Sequence, residues 1–383
     1  MSIATGLILL ATLFIAYANG ANDNFKGVAT LFGSGTAHYR KALAWGNACT
    51  FAGSLAAFFL AQKLIKTFSG KGLVPDEIIA APAFIASVIT GAGLTVFIAA
   101  KKGIPISTTH GLTGALAGSG LVAVGTELGF GALGKSFFIP LLISPVLAAL
   151  SAALIYPFFR LISRSAGLKK QMCLCVGERI IPVGSLALGP SAALTAAQLR
   201  SYDVMVDNKS VCEAKAVELY GGRFFGVQIQ GILDSLHFLS AGAVSFARGL
   251  NDTPKIAALS VTSGLLGLKW NIALIAFAMA LGGMISAGKV AETVSKKITK
   301  MNHGQGFTAN LITAFLVIFA SRLGVPVSTT HVSCGSLFGI GLVNGKANWK
   351  VISGILFAWL LTLPAAGFLA GLSYHLFQWA GLP

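Results

Sequence analysis

Charge is scarce in this sequence, and negative charge is scarcest. Asp and Glu together number 12 in 383 residues, and with 28 Lys and Arg the charged share is only 10%. A soluble domain carries about 25% charged residues. With 55% hydrophobic residues, a single soluble core of this length would need more polar surface than the chain owns. A soluble enzyme, a nucleic-acid binder and a disordered protein are thereby excluded. Cysteine is sparse too: Cys49, Cys173, Cys175, Cys212 and Cys334 form an odd set without the spacing of a secreted disulfide framework. Three of them, Cys173, Cys175 and Cys212, are weak zinc candidates by spacing and read better as free thiols.

What is present is long apolar runs. A bilayer span needs ~20 mostly apolar residues. Candidates are 3–17, 42–61, 78–100, 136–159, 232–247, 271–290, 307–320 and 351–376. The first ends in Ala16-Tyr17-Ala18, which imitates a signal-peptide cleavage site, but no positive segment precedes it, and it is read as a retained span. Two shorter Gly-rich stretches, 111–125 and 332–343, each follow a polar string and read as partial helices. The fold class expected is an all-α integral membrane protein with about 10–12 transmembrane segments, broken helices included.

Two motifs recur. Gly20-Ala21-Asn22-Asp23-Asn24-Phe25-Lys26 returns as Gly249-Leu250-Asn251-Asp252-Thr253-Pro254-Lys255, 229 residues later. Pro105-Ile106-Ser107-Thr108-Thr109-His110 returns as Pro326-Val327-Ser328-Thr329-Thr330-His331, 221 residues later. The same order at nearly the same spacing indicates an internal duplication. The expected domains are a first transmembrane repeat (1–163), a loop rich in charge and short Val/Ile runs (164–225), and a second repeat (226–383).

An odd number of spans per half inverts the second repeat relative to the first. With both termini outside and the central loop cytoplasmic, 20 of the 28 basic residues fall inside, as the positive-inside rule favours. In that count Lys26 lies inside and Arg248 and Lys255 outside, with the two lysines read as snorkelling at the interface. The net charge of +16 then reports orientation in the plasma membrane, not a nucleic-acid partner. Inverted repeats around a midplane site are a transporter architecture.

Acidic residues near apolar segments carry the chemistry. Asp23 and Asp252 occupy equivalent positions, and an ionisable group at membrane depth faces a cavity or an ion. Gly two residues before each Asn-Asp pair is expected to permit a backbone break. Carboxylate, amide oxygen and hydroxyl suit an alkali cation, so Asn22, Asp23, Asn251 and Asp252 are candidate cation ligands. The strings Ser107-Thr108-Thr109 and Ser328-Thr329-Thr330 provide helix caps, hydroxyl donors and the positive ends of helix dipoles. With Asp23 and Asp252 they are candidates to surround a tetrahedral oxyanion. His110 and His331 are read first as bonding nearby backbone and second as proton carriers.

GANDNFKGVAT with GLNDTPKIA, and PISTTH with PVSTTH, resemble the signatures of the inorganic phosphate transporter family, over 1–160 and 226–383. The resemblance implies a cation-coupled phosphate symporter in which Asn22, Asp23, Asn251, Asp252 and both Ser-Thr-Thr strings surround phosphate and its coupling ions. Asn310 departs from the glutamate that many members carry ahead of the second string, which leaves the count of coupled cations open. The expectation is inward transport of inorganic phosphate with Na+, or with H+ as the alternative, and no cofactor. Partners are phosphate and the lipid bilayer, with a homodimer left open. A sulfate permease is the nearest rival. An intramembrane hydrolase using Ser107 or Ser328 is a distant one, and neither catalysis nor ATP-driven pumping is expected.

Overall fold

A computed structural model describes residues 2–165, 172–182, 198–208, 224–261, 264, 266–298 and 301–382, with backbone alone between 163 and 230. Contacts divide the chain into two units: Met1–Pro157 with His237–Pro383, and Phe158–Leu236. The smaller unit holds an antiparallel sheet of β1 (Met172–Pro182), β2 (Gln198–Asn208) and β3 (Phe224–Gln228) in the order β2-β1-β3. Cys173 and Cys175 lie on β1, and Cys212 falls outside the described residues.

The larger unit is helical. Its order is α1 (Ile3–Asp23), α2 (Tyr39–Leu60), α3 (Pro82–Lys102), α4 (Thr108–Val124) and α5 (Ile139–Ser165). After the sheet follow α6 (Ile229–Val261), α7 (Leu268–Ser286), α8 (His303–Leu323), α9 (Thr329–Val343) and α10 (Trp349–Trp379). Among the described residues, seven helical stretches are long and apolar enough to cross a bilayer, and they coincide with α1, α2, α3, α5, α7, α8 and α10 in whole or in large part. The eighth long segment lies in α6, which carries Arg248, Asp252 and Lys255. The remaining helices, α4 and α9, have 17 and 15 residues. At 1.5 Å per residue they reach only about 22–26 Å, short of a full span.

The first five helices match the second five in order, and the boundaries on either side of the two Ser-Thr-Thr strings agree closely. Helix α3 stops at Gly103 with φ 71°, and α8 stops at Gly324 with φ 78°. Both glycines adopt the left-handed C-cap that a side chain resists. Prolines 105 and 326 then hold the chain extended, and Ser107 and Ser328 cap α4 and α9 by accepting from the backbone N–H of His110 and His331 at 3.1 Å.

The halves are interleaved. A Cβ built on Gly20 of α1 would meet the Met279 carbonyl of α7 at 1.9 Å, and one on Gly249 of α6 would meet the Thr50 carbonyl of α2 at 2.1 Å. Likewise Gly114 and Gly118 of α4 face the Leu363 and Gly367 carbonyls of α10, while Gly335 and Gly339 of α9 face those of Pro145 and Ala149 in α5. The glycines of each pair are related by the repeat offsets of 229 and 221, and their carbonyl partners by 229 and 218. Small residues four apart let backbones touch, the main source of helix association where no water is expelled.

This packing corrects the expectation of a break at the glycines. Helix α1 runs intact to Asp23 and continues as a 3-10 turn at Asn24–Val28, and α6 passes through Asn251–Asp252 to Val261. Gly20 and Gly249 give close approach, not a bend. The spacing G-x-x-x-x-G-K-S does occur once, at 129–136, but no strand feeds it. It runs through short helical turns, Phe130–Leu133 and Gly134–Phe138, and forms no nucleotide loop.

Candidate functional site

Five Asp, Lys and Arg side chains are buried among the described residues: Asp23, Lys26, Arg248, Asp252 and Lys255. All belong to the first duplicated motif or stand one helical turn before its Asp. Isolated charges are costly in a medium without water, so their clustering follows from mutual compensation. Asp23 pairs with Lys26, and Asp252 lies 3.5 Å from Lys255.

The capped N-termini of α4 and α9 meet this cluster from opposite halves. Thr108 Oγ1 donates to Asp23 Oδ2 at 3.1 Å, and Thr329 Oγ1 donates to Asp252 Oδ2 at 3.4 Å. The next residue crosses over: Lys255 Nζ donates to Thr109 Oγ1 at 2.7 Å, and Lys26 Nζ to Thr330 Oγ1 at 2.8 Å. Thr109 and Thr330 in turn donate to the carbonyls of Val327 (3.2 Å) and Ile106 (3.1 Å) in the opposite half. Asn251 binds its own Asp252 at 2.9 Å, and Asn22 donates to the Ile104 carbonyl at 3.0 Å while accepting from Lys26 at 2.6 Å. All ten candidates named from the sequence therefore line one buried locus. Ser107 and Ser328 are engaged as helix caps, with the O–H of each left to donate.

Lys26 and Lys255 were expected at the interface and are instead 3% and 1% exposed. Each is three residues after its Asp, so the helical repeat turns it inward beside the carboxylate. Arg248 was counted as an outside charge and is wholly buried. Its NH1 stands 3.6 Å from Asp23 Oδ2, and none of its three nitrogens has a hydrogen-bond partner. The repeat offset places Arg248 at the position of Asn19, whose amide donates to Asp23 (3.1 Å), Thr108 (2.9 Å) and Asp252 (3.5 Å). Neither residue was singled out from the sequence. Aligning the two motifs one turn further upstream finds both.

His110 and His331 pack behind the strings, ring against ring at 4.3 Å, with His331 stacked on Trp359. Their Nδ1 atoms lie 3.3 and 3.4 Å from the carbonyls of Trp359 and Leu141, matching the backbone-bonded reading. Neither ring touches a serine hydroxyl. Asn310 lies in a separate neutral cluster, accepting from Thr30 at 3.1 Å and donating to Ser240 at 3.3 Å.

A multi-pass helical membrane protein with a closed, charged centre built from duplicated motifs belongs to the class of transporters, not enzymes. The model of the phosphate transporter family matches residues 19–370, and the chain belongs to that family. A Pyrococcus abyssi protein named "Putative phosphate permease" is 28% identical over 97% of each chain. The chloroplastic inorganic phosphate transporter 2-1 of Arabidopsis thaliana is 27% identical, covering 97% of this chain and 72% of that one. A solved structure described as the sodium-dependent phosphate transporter has the same fold, with a TM-score of 0.75 and 22% identity over 99% of this chain and 100% of the other.

Proposed function

We propose that the chain carries inorganic phosphate into the cell by alternating access, with phosphate held between the two Ser-Thr-Thr strings beside Asp23, Asp252 and Arg248. The observation that carries this reading is Arg248: its buried guanidinium has no hydrogen-bond partner among the protein's own groups, and its planar fork of donors suits an oxyanion. Formal charge supports the choice of anion. Three buried positive side chains face two carboxylates, a surplus of one. Monovalent dihydrogen phosphate neutralises it, and its P–O–H groups can donate to a carboxylate, which only accepts. Sulfate, a dianion without protons, would reverse the sign and meet the carboxylates with bare oxygens.

The burial of every member of the site supports an occluded state between inward- and outward-open forms. Orientation with both termini outside is supported by the basic residues that remain once Lys26, Arg248 and Lys255 are withdrawn to the site: 19 inside against 6 outside. For the driving ion the sequence favours sodium over the proton, an order that the surroundings of Lys26 and Lys255, described below, reverse.

The test is uptake of radiolabelled phosphate into proteoliposomes, under a Na+ gradient and then a pH gradient. Arsenate, which keeps the same protons as phosphate, is expected to compete, and sulfate at a ~100-fold excess is not, since the mismatch is worth several kcal/mol. Equal competition by sulfate would return the substrate to an open choice among tetrahedral oxyanions. Thr108→Ala and Thr329→Ala are each expected to weaken phosphate binding by about 1–3 kcal/mol, the cost of an unpaired polar partner. Unchanged affinity in both variants, by calorimetry, would reduce these threonines to helix-capping residues.

A further inference from the structure

The ammonium groups of Lys26 and Lys255 have the surroundings of a bound alkali cation. Lys26 Nζ has Asn22 Oδ1 at 2.6 Å, the Ile106 carbonyl at 2.7 Å and Thr330 Oγ1 at 2.8 Å, with Asp23 Oδ1 as a fourth oxygen. An ammonium has three N–H donors, fewer than the four oxygens gathered here. Carboxylate, amide oxygen, carbonyl and hydroxyl together form the hard set that cations without covalent preferences select. Lys255 Nζ repeats three of the four contacts, with Thr109 Oγ1 and the Val327 carbonyl, both at 2.7 Å, and Asp252 Oδ1 at 3.5 Å, and lacks the amide oxygen, since Asn251 Oδ1 accepts from Ser321 instead. Each cradle draws its hydroxyl from the opposite half, so it exists only when α4 and α9 are both docked on the site.

Resting on the reading of the chain as a phosphate carrier, we infer that Lys26 and Lys255 are tethered counter-cations that occupy the cation positions of the two Asn-Asp pairs. Asn22 and Asp23 then hold the ammonium of Lys26, and Asp252, braced by the amide of Asn251, holds that of Lys255, in place of Na+. A tethered cation does not leave with the substrate. The cation complement of the centre is therefore the same on the loaded and the empty journeys, its formal charge changing only by that of the phosphate, and neither pair transmits a sodium gradient to phosphate. Lysine at these positions makes the difference between a site that recruits its cation from solution and one that brings its own.

The experiment replaces Na+ by choline around reconstituted full-length protein and follows phosphate uptake together with thermal unfolding. The wild-type protein is expected to change uptake by less than about twofold on this exchange, and to show no Na+-dependent rise in melting temperature. Lys26→Ala, which empties the cradle but keeps its oxygens, is expected to gain Na+ dependence of about tenfold or more in uptake and a Na+-dependent thermal shift. Wild-type uptake that rises about tenfold with Na+, with labelled Na+ entering alongside phosphate, overturns the inference. Should Lys26→Ala fail to fold, the wild-type ion exchange decides alone. Absence of phosphate uptake in every medium rejects the phosphate reading. The thermal shifts still judge the cradle in that case: a Na+ response confined to the variant upholds it, and an equal response in both proteins rejects it.

Discussion

Arg248→Gln should abolish concentrative phosphate uptake while leaving the phosphate-free protein at least as stable as the parent. The two halves of this expectation come from the same fact. The guanidinium is buried, 3.6 Å from an Asp23 already paired with Lys26 and without a hydrogen-bond partner, so with no anion bound its removal relieves the surplus positive charge of the cluster. With the anion bound, the same group supplies the surplus positive charge and a planar fork suited to two phosphate oxygens. Truncating one partner of such a buried pair costs about 2–5 kcal/mol, a loss of roughly 30-fold to several thousand-fold in affinity. Arg248→Lys should fall between, because an ammonium keeps the charge and loses the fork. The measurements are uptake and the melting temperature with and without phosphate. A variant that still takes up phosphate and is still stabilised by it would remove Arg248 from the anion site.

Asp23→Asn should also stop transport, and here the fold suffers as well. The substitution leaves Lys26 without its carboxylate and Arg248 without its nearest negative neighbour. Breaking one side of a buried ion pair costs about 3–5 kcal/mol, whereas removing both partners is close to neutral. Asp23→Asn combined with Lys26→Met should therefore regain most of the stability lost by the single variant and none of the transport. Asp252→Asn should follow the same course with a smaller stability loss, since its lysine lies 3.5 Å away. Unfolding of the detergent-solubilised singles and double, set beside uptake, gives the coupling between the pair. Normal accumulation of phosphate by both single Asp variants would take the carboxylates out of the mechanism.

The duplicated strings were legible because polar residues stand out in an apolar chain and because each string occurs twice. The spans were legible for the same reason, as the seven spanning stretches found among the described residues each overlap an expected apolar run. Burial of Lys26, Arg248 and Lys255 was not legible. A basic residue flanking an apolar run looks the same whether it snorkels outward or turns inward, and only the helical phase relative to Asp23 and Asp252 decides. Arg248 was hidden further by asymmetry: its counterpart is the neutral Asn19, so a search for repeated residue types passes over both. The glycines before each Asn-Asp pair were misread because glycine serves backbone bending and backbone contact alike. The partner that distinguishes them, a carbonyl in the other half, is 259 residues away for Gly20 and 199 for Gly249.

The glycine contacts also bear on how such a molecule can move. Helix α1 is seated on α7, α6 on α2, α4 on α10 and α9 on α5, each through a backbone approach closer than any side chain would allow. The two sequence repeats are laced together like the fingers of clasped hands. A hinge that swung one repeat away from the other would have to pull all four seams apart at once. Under the alternating access proposed above, the bodies that rock against each other would therefore be hybrids, each assembled from helices of both repeats, and the unit of duplication would not be the mechanical unit.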